Sequence, residues 1–82
     1  MMEKTIRNNK DLGEAIRLAR RNKGLRQVDL ARKASVRQAL VSELENGATT
    51  AKLDTVIKMV AALDMDLSII PRQKAEFDPT KY

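Results

Sequence analysis

The sequence predicts a mainly α protein: one small bundle of four helices, followed by a short C-terminal strand that pairs across a dimer. Three observations carry this. Apolar residues recur at i, i+3, i+4 and i+7 as far as about residue 64. The period then switches to two over a short run that ends at Pro71. With 82 residues and neither Cys, His nor Trp, the chain fits one domain, and its core must be built from aliphatic side chains and Met.

Leu12, Ala15, Ile16 and Ala19 place a first helix over about Asn9 to Lys23. Asn8 serves as its N-cap, with Asp11 at the third helical position, and Gly24 ends it. Leu30, Ala31 and Ala34 mark a second helix over about Gln27 to Ala34, and Ser35 and Val36 form the turn. A third helix, about Gln38 to Asn46, buries Val41 and Leu44 and stops at Gly47. Thr49 or Thr50 caps a fourth, whose Leu53, Val56, Ile57, Val60 and Leu63 form the longest apolar stripe. Met59 also lies at core spacing.

Beyond Leu63, Met65, Leu67 and Ile69 alternate with Asp66, Ser68 and Ile70, which reads as a strand. A lone strand leaves its backbone groups unpaired, and no second strand is present in the sequence. Its partner must therefore be another copy of the chain, making Met65, Leu67 and Ile69 dimerisation residues. Nothing periodic follows Arg72. A mobile tail is expected there, carrying the only two aromatic residues, Phe77 and Tyr82.

Composition removes several function classes. Zinc fingers, thiol redox sites, disulfide frameworks and catalytic sets built on His or Cys lack their residues. Base stacking on aromatic platforms is excluded for residues 1–76. No nucleophile–base set is evident, so neither an enzyme nor a metal or other cofactor is expected. The longest apolar run, Met59 to Leu63, falls far short of the roughly 18 residues of a membrane span. Absence of cysteine and of a signal-like start points to the cytoplasm.

The net charge of +5 is unevenly placed. Residues 1–47 hold eleven basic and six acidic groups, whereas residues 48–82 hold five of each. Between Arg17 and Arg37 eight basic residues face only Asp29. A field of one sign confined to one region draws polyanions to it.

The third helix then narrows the reading. With Leu44 at zero on a helical wheel, Val41 falls at about +60° and Leu40 at about −40°. The opposite arc displays Ala39, Ser42 and Asn46, flanked by Gln38 and Glu43. Such a narrow polar face with one small apolar residue suits the DNA major groove. An ordinary solvated helix has a similar face, so this pattern alone does not decide.

The segment LRQVDLARKASVRQALVSELENG, Leu25 to Gly47, resembles the helix-turn-helix of the XRE family, which includes the lambdoid phage repressors and Cro. The resemblance rests on Gln27, Leu30-Ala31, the small residue Ser35, Val36, Val41, Leu44, and Glu45-x-Gly47. It implies a lambda-repressor-like bundle over about residues 11–63. Ser35 departs from the usual Gly, and a left-handed turn there carries a conformational cost. By this resemblance Arg37 and Gln38 point into the groove, Arg suiting guanine O6/N7 and Gln suiting adenine N6/N7. Ala39 meets a thymine methyl, Ser42 a base edge or phosphate, and Glu43 accepts from cytosine or repels phosphate. Gln27 and Asn46 bind phosphate, joined by Arg26 where the family often has Thr or Ser. Arg20 and Glu45 form a structural ion pair beneath the third helix.

The start DLGEAIRLAR and the run TAKLDTVIKMVAALDMDLSI further resemble HipB-type antitoxins over about residues 8–71. This implies a homodimer, a double-stranded operator with half-sites about one DNA turn apart, and a HipA-like Ser/Thr kinase toxin as partner. The chain then divides into an N-terminal arm 1–8, a helix-turn-helix DNA-binding domain 9–63, a dimerisation strand 64–71 and a flexible tail 72–82. Two other readings stay open on the sequence: a stand-alone repressor without a toxin, and a protein-binding module whose basic face meets an acidic partner.

Overall fold

Asn8 sets the start of the first helix. Its side-chain oxygen accepts the Asp11 N–H at 2.7 Å, and Asp11 in turn accepts the Arg7 N–H at 3.1 Å, so two free donors are met reciprocally. In the computed structural model, which describes residues 5–72, helix α1 then runs Asn9–Asn22. Three further helices follow: α2 (Gln27–Ala34), α3 (Gln38–Glu45) and α4 (Leu53–Ala62). Gly24 and Gly47 follow the ends of α1 and α3 at φ +69° and +68°, the left-handed conformation for which glycine has no steric penalty.

The connection from α2 to α3 is tight. Ser35 takes φ 58° and ψ 44°, and the Val36 N–H donates to the Ala31 carbonyl at 2.9 Å. A serine therefore occupies the left-handed position that the sequence assigned to it, and the strain is local to one residue. Leu30, Val41, Leu44 and Met59 are fully buried, with Ile16, Ala19, Ala31, Ala34 and Leu63 around them. Helix α3 packs on both α1 and α2, and α2 packs on α4. Small Ala31 and Ala34 on α2 allow these close crossings.

One position fixes the approach of α1 to α3. Gly13 is buried, and a Cβ built on it falls on the Leu44 carbonyl oxygen and within 2.9 Å of the Glu45 carbonyl oxygen. Only glycine lets the first turn and a half of α1 lie directly against the end of α3.

Three expectations need correction. Helix α4 is not capped by Thr49 or Thr50: Lys52 is its N-cap and makes no side-chain cap bond, while Thr49 donates to the Thr50 carbonyl. The chain needs residues 48–51 to cross from α3, with Ala51 packed on the core, so the helix starts later. The α4 stripe also splits. Val56, Met59 and Leu63 face the core, whereas Leu53 and Ile57 are 68% and 50% exposed. Finally, residues 65–70 form no strand, and none occurs among the described residues. A ladder needs a neighbouring strand to exchange backbone hydrogen bonds with, and a single chain provides none. The expected tail, with Phe77 and Tyr82, lies outside the described residues apart from Arg72. No helix among the described residues is long and apolar enough to cross a membrane.

Candidate nucleic-acid interface

Helix α3 is held on one side and open on the other. Val41 and Leu44 are buried completely and Glu45 nearly so. Arg37, the N-cap, and Gln38 and Ala39 in the first turn are exposed, as are Glu43 and Asn46; Ser42 is half-buried. Positions 38, 39, 42, 43 and 46 share one helical face, so the side chains assigned to base edges lie together on the surface.

The buried side is anchored by a charged network. Arg20 Nε donates to Glu45 Oε2 at 2.6 Å, and its Nη2 donates to Oε1 at 3.0 Å. Its Nη1 donates to the Leu25 carbonyl at 2.8 Å, which fixes the α1–α2 connection to the same guanidinium. The Glu45 side chain is 1% exposed. Hydrogen bonding to Glu45 raises the Arg20 pKa above its ordinary value, against the opposing effect of burial. Arg17 Nε stands 4.0 Å from the same carboxylate. No buried side-chain polar atom among the described residues lacks a hydrogen-bond partner. The network thus ties α1, the start of α2 and the end of α3 through one carboxylate.

The side chains assigned to phosphate are placed less freely. Gln27 is half-buried and its Nε2 donates to Glu45 Oε1 at 3.1 Å. Arg26 is the N-cap of α2, and its guanidinium folds onto Asp29, with Nε to Oδ2 and Nη2 to Oδ1 both at 3.0 Å. The Arg26 backbone N–H donates to Oδ2 of the same carboxylate at 2.8 Å. These bonds, the guanidinium first, lower the Asp29 carboxyl to about 2. Arginine has no acceptor, so the first-turn amides of α2 receive no side-chain cap from residue 26. Asn46 ends α3, exposed, as its C-cap.

Sequence reasoning missed Gly13, the Gln27–Glu45 bond and the hold of Asp29 on Arg26. The last had a readable signal, because Arg26 and Asp29 stand at i, i+3 across a helix start. It also missed the ion pair from Lys23 to Asp64, which joins the ends of α1 and α4. Asp64 occupies a left-handed position at φ 58°. Along α4 and the segment after it, Ile57, Val60, Ala61, Met65 and Leu67 line a shallow groove, and Leu67 and Ile69 are 46% and 101% exposed. Among the described residues no three acidic, His or Cys side chains converge to hold a metal.

A family model described as helix-turn-helix matches residues 16–70. Antitoxin HipB of Escherichia coli is 29% identical over 70 residues, covering 85% of this chain and 80% of its own length. An HTH-type transcriptional regulator of Sinorhizobium fredii is 32% identical over 69 residues, covering 84% of this chain and 91% of its own. HipB in a HipA-HipB-O2-O3 complex superposes with a TM-score of 0.76 at 27% identity, over 87% of this chain and 100% of that one. Four helices in this order, an exposed third helix and these matches agree: the chain belongs to the XRE-type helix-turn-helix family of DNA-binding transcription regulators.

Proposed function

We propose that this chain is a sequence-specific repressor that reads duplex DNA with the outer face of α3. It acts as a homodimer and serves as the antitoxin of a HipA-like Ser/Thr kinase, regulating its own operon. The observation that carries the DNA reading is the exposure of Arg37, Gln38 and Ala39 on a helix whose other side is locked by Val41, Leu44 and Glu45. A rigid mount with a free polar edge is what base readout requires, because a misplaced donor loses its bidentate geometry.

In this reading Arg37 and Gln38 make the bidentate base contacts, Ala39 packs on a thymine methyl, and Ser42 and Glu43 flank them. Phosphates are met by Asn46 and by the start of α2 with Gln27 and Arg26. The apolar surface of Leu53, Ile57, Met65, Leu67 and Ile69 forms the contact between two copies, which sets operator half-sites about one turn apart. The kinase partner is supported by the likeness to HipB, including HipB held in a complex with HipA.

Selecting bound duplexes from a random pool, then footprinting the winner, tests the core of this. A palindromic site with half-sites near one helical turn is expected. Failure to enrich any sequence overturns base reading. A second reading is a repressor that acts without a toxin. A HipA-type kinase gene beside this one, whose product co-purifies with this chain, supports the antitoxin; the absence of such a gene supports the repressor without a toxin.

A further inference from the structure

At the start of α2, where a phosphate contact is proposed, a single carboxylate holds an arginine. Asp29 takes three donors from Arg26: the backbone N–H at 2.8 Å and two guanidinium nitrogens at 3.0 Å each. The Arg26 side chain is otherwise 74% exposed, so nothing but Asp29 holds it down. Neighbouring Arg32 adds a smaller attraction to Asp29. Among the eight basic residues from Arg17 to Arg37, Arg26 is thus opposed by the one acidic residue in that stretch.

We propose that Asp29 is an affinity-setting residue: it keeps Arg26 in a closed ion pair and thereby withholds one phosphate contact from duplex binding. This rests on the reading that the α2 start faces DNA. A closed pair presents no net charge to a phosphate. An opened one presents a guanidinium beside free first-turn amides. Because the Asp29 carboxyl sits at about 2, it stays ionised across the physiological range, so the restraint does not act as a pH switch there. The backbone bond to Arg26 and the guanidinium bonds come from one side chain, so helix capping and charge restraint are separable by substitution. Asparagine keeps an oxygen for the Arg26 N–H and removes the charge.

The test uses the full chain and a random-sequence duplex about two turns long, which reports phosphate binding without base readout. Asp29→Asn is expected to bind about three- to eightfold tighter at 0.1 M salt, with the log–log salt slope steeper by about 0.9. Arg26→Ala should then cost more in the Asp29→Asn background than in the wild type. Equal cost in both backgrounds, or an unchanged slope in Asp29→Asn, overturns the restraint while leaving duplex binding standing. No binding by the wild type at low salt overturns the DNA reading and the restraint with it. If Asp29→Asn melts below the wild type, Asp29→Ser supplies an uncharged acceptor of another length, and the same slope change is required of it.

Discussion

Helices α3 and α4 turn opposite kinds of surface outward. The outer side of α3 is polar and basic at its start, with Arg37, Gln38 and Ala39 exposed above a buried ion pair. The outer side of α4 is apolar, with Leu53 and Ile57 exposed beside Leu67 and Ile69. Both helices bury apolar side chains, Val41 and Leu44 on α3 and Val56 and Met59 on α4, and α3 buries Glu45 as well. What differs is the partner each outer face suits: base edges in one case, a second apolar surface in the other. A small bundle can carry two such faces because both inner faces pack into one core, with α2 against α3 and α4 alike.

If the comparison holds, substitutions sort by face. Arg20→Ala, beneath α3, has the largest expected effect. It leaves Glu45 buried without its main partner and should cost about 3–5 kcal/mol, read as a lower melting temperature. Lost DNA affinity at unchanged stability would contradict a structural role for this pair. Ile57→Asp on α4 comes next. It should weaken self-association by about 3 kcal/mol summed over two copies, seen as a shift to monomer in analytical ultracentrifugation, with the monomer still folded. An unchanged oligomeric state moves the contact between copies to another surface.

Smaller effects probe the frame that holds the faces. Ser35→Gly relieves the left-handed strain between α2 and α3 and should raise stability by up to about 1 kcal/mol, read by chemical denaturation. A loss instead would mean the serine hydroxyl is needed in that turn. Acid titration reports on Asp29, alongside Asp64, whose carboxyl is also lowered by its hydrogen bond with Lys23. The Asp29 carboxyl lies near 2 when folded against an ordinary 3.8, so its contribution is present above about pH 4 and fades as pH falls toward 2. Asp29→Asn should flatten that part of the acid limb in a melting-temperature profile.

Much of this architecture was legible because periodicity and capping are local. Asn8, Gly24, Ser35 and Gly47 bound three helices through short-range chemistry, and Leu30, Val41 and Leu44 report the core by spacing alone. What was not legible is relational. Gly13 has no local signature in a helix, since its need comes from a carbonyl on another helix. The α4 stripe is wider than one face, and spacing cannot say that Met59 turns inward and Ile57 outward. For the run from Met65 to Ile70, alternation describes side chains only. The sequence already required a second copy to pair this strand, and the single chain forms no strand among the described residues. On the candidate face, the exposed residues of α3 were readable from the wheel and the Arg26–Asp29 pair from its i, i+3 spacing, whereas the bond from Gln27 to Glu45, 18 residues away, was not.

Base reading by the outer face of α3 underlies the proposed function. It is tested most directly by comparing wild type and Gln38→Ala on a selected operator duplex and on a random duplex at the same salt. A loss of about 1–3 kcal/mol is expected on the operator, with little change on random DNA and an unchanged melting temperature. Equal losses on both duplexes would contradict it.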